Sequence, residues 1–150
     1  VHSYYPETKL HIVGYIHDDD YGKYVNKYNL ESSVIKHGFM PAGEGMNAIL
    51  NNCAIYMNSP TTEGQCLAAY ESALSGLGLC VPNISAFKYN LADCALFHEV
   101  NNYEQLAKNV IFFLENEDER KKSNLRAIEM IKDNYDIKVI EHKMRDLLTF

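Results

Sequence analysis

The sequence predicts an α/β fold: an open parallel sheet with helices on both faces and a helical C-terminal tail. Two observations carry this. Short apolar runs alternate with amphipathic stretches along the chain, and the runs are apolar throughout, as in strands buried on both faces. Such alternation implies parallel pairing through right-handed crossovers. A length of 150 residues bounds the answer to one domain, residues 1–150, with room for a real core.

The elements follow in order. Leu10–Gly14 (LHIVG) is a buried strand ending in a glycine turn. Asp18–Tyr28 is a helix, with Tyr21, Tyr24, Val25 and Tyr28 at helical spacing behind a run of Asp suited to its N-terminus. Val34–Phe39 is a second strand, and Met46, Ile49, Leu50 and Cys53 line one face of a second helix. Ala54–Asn58 (AIYMN) is a third strand, followed by a Ser-Pro-Thr-Thr loop. Gln65–Leu77 is a nearly all-apolar helix, Leu79–Pro82 a fourth strand and Cys94–Phe97 a short fifth. Three helices close the chain: Tyr103–Leu114, Glu117–Asn134 and Ile137–Leu148, the last with Ile137, Ile140, Met144 and Leu147 on one face.

Composition excludes several classes. Net charge −6 with no basic stripe argues against a nucleic-acid partner. It leaves room for a small anion, which backbone dipoles can bind against the global sign. Cys53, Cys66, Cys80 and Cys94 lack CxxC spacing and sit within apolar runs, so they read as reduced core thiols of a cytosolic protein. No apolar stretch approaches membrane-spanning length, and the N-terminus is not a signal peptide. Lacking an initiator Met, it reads as the start of an excised piece. No His/Cys pair has metal spacing, and no Ser-His-Asp arrangement stands out.

One stretch is unusual. Residues 45–87 carry only two charges, Glu63 and Glu71, where the chain's average of 23% would give about ten. The expectation is a buried, apolar region holding two carboxylates, each costly unless paired or hydrogen-bonded. Glu63 falls in the loop after the third strand, at the sheet edge where open α/β folds bind ligands. Between the two lie the amides of Gly64, Gln65, Cys66 and Leu67 at a helix start, an anion-binding arrangement. Gly64 lets backbone approach a phosphate closely. Eight helical steps separate the carboxylates by roughly 12 Å, the length scale of a nucleotide-sugar.

The pattern S-P-x-x-E-G-x-x-L-x-x-x-E-x-x-x-x-G, set after an apolar strand, resembles the donor-binding C-terminal domain of retaining glycosyltransferases of the GT-B fold, family 4. LHIVG looks like that family's glycine-ended strand, VIKHGFMP like its strand and turn beside the base, and CALFHEVNNYEQLAKNVIFFLEN like its later strand and helix. The resemblance implies a Rossmann-like domain, the C-terminal half of a GT-B fold. It also implies a hexosyltransferase-type enzyme acting on a nucleotide-diphosphate sugar, with no metal or other cofactor and with retention of configuration. Family members commonly build cell-surface polysaccharides.

Carried over by position, Glu63 would be the catalytic-site residue, accepting hydrogen bonds from the donor sugar's hydroxyls. Gly64, Gln65, Cys66 and Leu67 would offer amides near sugar and diphosphate, and Glu71 would hold the ribose. Gly38, Phe39 and Met40 would lie against the nucleobase, with Gly14 and Tyr15 bordering the nucleotide. The family's Arg and Lys for the diphosphate lie upstream of anything in this chain. The expectation is therefore a piece that is inactive by itself. The glycan or lipid acceptor would be bound by an N-terminal domain absent here, and the whole enzyme would be cytoplasmic or peripheral at the membrane. Two positions depart from the pattern: Cys66 stands where a second glycine is common, and Gly78 replaces the usual proline.

Other readings of the same residues stay open. Glu71 could be a buried glutamate paired with a base of the tail helices, and Glu63 a helix-start residue favoured by the dipole. Asp18–Asp20 could be a metal-binding motif or a solvated helix start. His37 could touch the base or merely end a strand, and His98–Glu99 ends a strand facing the same edge. Tyr21, Tyr24 and Tyr28 read as packing. The alternative to an enzyme is a non-catalytic Rossmann-like module, its two glutamates structural and its surface used for protein contacts.

Overall fold

The computed structural model describes residues 1–15, 18–65 and 67–148. Their elements run in strand–helix order: β1 Leu10–Val13, α1 Asp18–Lys27, β2 Val34–Gly38, α2 Glu44–Asn51, β3 Ile55–Met57, α3 Leu67–Leu74, β4 Gly78–Pro82, α4 Ser85–Leu91, β5 Leu96–His98, α5 Tyr103–Glu115, α6 Glu117–Tyr135 and α7 Ile137–Leu148. Every expected strand and helix is present, and every strand pair is parallel. The fifth strand begins two residues later than its apolar run, because Cys94 instead closes the turn after α4, donating to Leu91. The helix α4 was not anticipated: its sequence, SAFKYNL, is short and opens without a capping side chain.

The chain divides into two compact units, residues 1–52 and 53–150. In the first, β1 and β2 form a two-stranded sheet, His11 lying beside Ile35 and Val13 beside Gly38, with a bulge at Ile12/Val13. Helix α1 ends where Asn29 takes a left-handed conformation (φ 53°). Its amide donates to Asn26 while Leu30 donates to Val25, the paired bonds that satisfy the last carbonyls of a helix. Tyr24 and Tyr28 are exposed, so the tyrosine stripe is not a packing face. Only Tyr21 is half-buried, with Lys36 lying 5.4 Å over its ring.

The second unit holds a three-stranded sheet in the order β3-β4-β5. Leu79 and Val81 point from β4 into a core with Ala69, Tyr70 and Ala73 of α3, Phe87 and Leu91 of α4, and Ala127 and Ile131 of α6. The alternate β4 residues face the other way, and a side chain at Gly78 would meet Phe113 of α5 and Arg120 of α6. This sheet is therefore covered on both faces. Helix α6 ties the layers through buried polar groups: Ser123 donates to Cys94, and Asn124 to Ala73 and Leu77. Tyr70 donates to Tyr135, which donates to Asn90.

Cys80 and Cys94 are buried free thiols and Cys53 is half-buried; burial pushes Cys80 up to about 12, which keeps it protonated and inert. Helix α7 has the expected bounds, and its apolar residues Ile137, Ile140, Met144 and Leu147 are exposed. Among the described residues, no helix is long and apolar enough to cross a membrane.

Candidate functional site

In the first unit the strands end in glycines that L side chains would occupy only under strain. Gly14 has φ +117° and Gly38 has φ +71°, and the Gly14 amide donates to the Gly38 carbonyl at 2.8 Å. The two turns present Tyr15 and Phe39 outward. Their rings stack at 5.9 Å between centroids, 16° from parallel, though they are 87% and 66% exposed. Met40 follows half-buried, its sulfur 3.5 Å from where a side chain on Gly45 would begin. Gly14, Tyr15, Gly38, Phe39 and Met40 thus gather at the carboxyl end of one sheet. His37 does not reach out from it. Its Nε2 lies 2.9 Å from Nδ1 of His11, with the rings nearly coplanar, so one nitrogen donates and the other accepts.

In the second unit Glu63, Gly64 and Gln65 lie exposed in the loop after β3. Two of the expected anion-binding amides are already engaged: Gly64 donates to Glu63 Oε1 at 3.0 Å and Leu67 to the Gln65 carbonyl at 2.8 Å. Cys66 lies outside the described residues, as do the side chains of Asp18, Asp19 and Asp20. Helix α3 begins at Leu67, so Glu63 stands off it, and the eight steps between the two carboxylates are not all helical.

The expectation that Glu63 and Glu71 are buried is also corrected: both are exposed. Helix α3 hides only the face made by Ala69, Tyr70, Ser72 and Ala73, and Glu71 sits on the other face between exposed Leu67 and Leu74. The scarcity of charge reflects the burial of that one face and of all of β4. A buried ion pair for Glu71 is accordingly ruled out, and the carboxylate is open to a ligand.

Sequence reasoning missed a polar lattice at the carboxyl ends of β4 and β5. Asn83 donates to Glu99 Oε1 at 2.8 Å, the Glu99 amide donates to Gln105 Oε1, and the Asn102 side chain caps α5 by accepting from the Gln105 amide. Asn101 takes φ 62°, a conformation Asn tolerates, and the Asn-Asn pair before the amphipathic α5 pattern was the available signal. Beneath it His98 is 1% exposed, and neither ring nitrogen has a well-formed hydrogen bond among the described residues. Burial holds its pKa below the ordinary value, against weaker opposing effects of Glu99 and the Val81 backbone. Among the described residues no group of three or more His, Cys, Asp or Glu is arranged to hold a metal ion.

Comparison with known proteins gives a consistent picture. The family described as "Glycosyl transferases group 1" matches residues 2–130. No curated protein matches the chain. Among solved structures, a mutant of TarM from S. aureus, in complex with fondaparinux, alpha-GlcNAc-glycerol and UDP, superposes with a TM-score of 0.85 at 20% identity, over 99% of this chain and 30% of that one. HepE from Anabaena, in complex with UDP, gives 0.81 at 16% identity, over 96% of this chain and 41% of that one. The C-terminal domain of a glycosyl transferase group 1 family protein (LpcC) from Francisella tularensis gives 0.77 at 18% identity, over 91% and 74%. At these identities the likeness is one of fold. The chain spans well under half the length of the first two proteins.

Proposed function

Because the chain belongs to the glycosyl transferases group 1 family, we propose that it binds the nucleotide-diphosphate sugar donor of a hexosyl-transferring enzyme that works without a metal. The observation that carries the reading is the Glu63–Gly64 loop following β3, with Glu71 eight residues on along an exposed face of α3, inside the segment the family matches. Glu63 takes the sugar hydroxyls, Glu71 the ribose hydroxyls, and Gln65 and Cys66 the diphosphate side. Gly38, Phe39 and Met40 meet the base, with Gly14 and Tyr15 at its border.

The local physics supports these roles. A carboxylate in solvent loses little on meeting hydroxyl donors, whereas a buried one would have to break an existing pair first. The Gly64 amide that holds Glu63 Oε1 fixes the carboxylate's direction and leaves its other oxygen for a ligand. Transfer with retention to a glycan or lipid acceptor, by a cytoplasmic enzyme whose acceptor is bound elsewhere in a longer protein, completes the proposal. Backbone amides on the diphosphate side would supply partial positive charge, and further cationic groups would be needed for turnover.

The test is a calorimetric titration of UDP, GDP and ADP into wild type and Glu71→Ala. Binding that weakens at least tenfold on substitution supports the reading. No binding of any nucleoside diphosphate at millimolar concentration rejects it.

A further inference from the structure

The turn between β5 and α5 carries a second set of groups fit to hold a ligand, and the donor reading uses none of them. Residues 99–102 form a four-residue turn, closed by the Asn102 amide donating to the Glu99 carbonyl at 2.9 Å, with Asn101 at φ 62°. Strands β3, β4 and β5 are parallel neighbours, so this turn opens on the same sheet edge as the Glu63 loop. The strands that carry the two loops are two spacings, or roughly 10 Å, apart. Open α/β sheets bind their ligands outside that edge. Here residues 99–104 line a solvent-open cavity of about 350 Å³.

The chemistry of the lining selects among ligands. Tyr103 is 79% exposed, and its hydroxyl and the side chains of Asn101 and Glu104 have no hydrogen-bond partner among the described residues. The neighbouring polar groups are held in place. Asn83 engages Glu99 Oε1 and leaves Oε2, while Asn102 caps α5 through its side-chain oxygen and leaves its amide protons. Donors and acceptors thus stand side by side around an aromatic ring. A neutral sugar has the complementary surface: hydroxyls that donate and accept at its rim, and a face of C–H groups suited to the negative face of a π system. The exposed carboxylates of Glu99 and Glu104 repel a phosphate or a uronate. We propose that the β5–α5 turn is a carbohydrate subsite. A neutral hexopyranose unit packs its C–H face on Tyr103, and Glu99, Asn101 and Asn102 hold its hydroxyls.

The experiment follows backbone amide NMR signals of the intact chain during titration with methyl glucoside, methyl galactoside and methyl N-acetylglucosaminide, then with maltotriose and chitotriose. At least one should shift residues 99–104 saturably at millimolar concentration. Tyr103→Ala should weaken that binding at least about fivefold, and Tyr103→Phe, which keeps the ring, should stay within about twofold of wild type. Because Tyr103 is exposed, both variants should keep the wild-type signals outside the turn. A trisaccharide that binds tighter than its single unit supports the subsite with a glycan chain as occupant, and equal affinity supports it with a lone sugar unit. No shift with any of these sugars, or unchanged binding by Tyr103→Ala, overturns the subsite. Shifts with tetramethylammonium and none with a sugar overturn it in favour of a cation. Sugar shifts confined to residues 63–65 overturn it while supporting the donor reading, which nucleoside diphosphate titration tests separately.

Discussion

Asn124 and Ala73, 51 residues apart in sequence, are joined by a buried hydrogen bond of 2.7 Å from the Asn124 side-chain amide to the Ala73 carbonyl. The same amide donates to the Leu77 carbonyl at 3.0 Å. Helix α3 ends there: Gly76, at φ +94°, donates to Ala73, and Leu77 donates to Ser72. One side chain of α6 thus fixes the turn that leads from α3 into β4, and with it the direction in which α3 presents Glu71.

Replacing Asn124 with Ala leaves the Ala73 and Leu77 carbonyls short of a buried partner. The expected cost is about 1–3 kcal/mol of unfolding free energy. Urea denaturation measures it, and a change under 0.5 kcal/mol would show the bonds to be dispensable.

Gly78 explains a departure from the family pattern. A Cβ at this position would lie 2.6 Å from Cγ of Arg120 and 3.1 Å from the Phe113 ring, so neither alanine nor the usual proline fits. Arg120 is anchored by its Nη1 donating to the Phe113 carbonyl and cannot simply swing away. Gly78→Ala should destabilise by about 1–3 kcal/mol through overpacking. In Arg120→Ala the same change should cost clearly less, a non-additivity that a double-mutant cycle measures. Additive losses would place the strain elsewhere.

Gly38→Ala meets no neighbour within 4 Å, so its effect isolates backbone conformation. At φ +71° the cost should be about 1–2 kcal/mol. Nucleoside diphosphate affinity should fall with it if the turn sets the Tyr15–Phe39 geometry. Thermal melting and calorimetry on the same variant separate the two effects.

His98 makes the second unit sensitive to acid. Burial lowers its folded-state pKa below the ordinary value, so the unfolded chain binds a proton that the folded chain resists. The contribution to stability is whole above the unfolded pKa, near 6.5, and is lost as pH falls below it. His98→Met should therefore flatten the fall in stability between neutral pH and pH 5, measured by denaturation across that range. A variant with the same pH profile as wild type would mean that other groups set it.

The periodicity of apolar residues was enough to locate five strands and six helices, because a strand buried on both faces and a helix with one buried stripe leave different spacings in the chain. Helix α4 escaped because seven residues without a cap carry too little of either signal. The glycines after β1 and β2 and the Glu63-Gly64 step were legible too, since only a turn needs such residues there.

What the sequence could not decide is which way each group faces. A charge-poor stretch reads the same whether its few carboxylates are buried or project from the back of a half-buried helix, and only packing against β4, α4 and α6 put Glu71 outside. Nor could spacing reveal that the Gly64 amide is engaged by its neighbour, that Asn124 closes α3 from 51 residues away, or that Tyr15 and Phe39 meet. Local pattern records how much of each element is hidden. The partners that hide it, and the surfaces left for a ligand, are set by contacts between residues far apart in the chain.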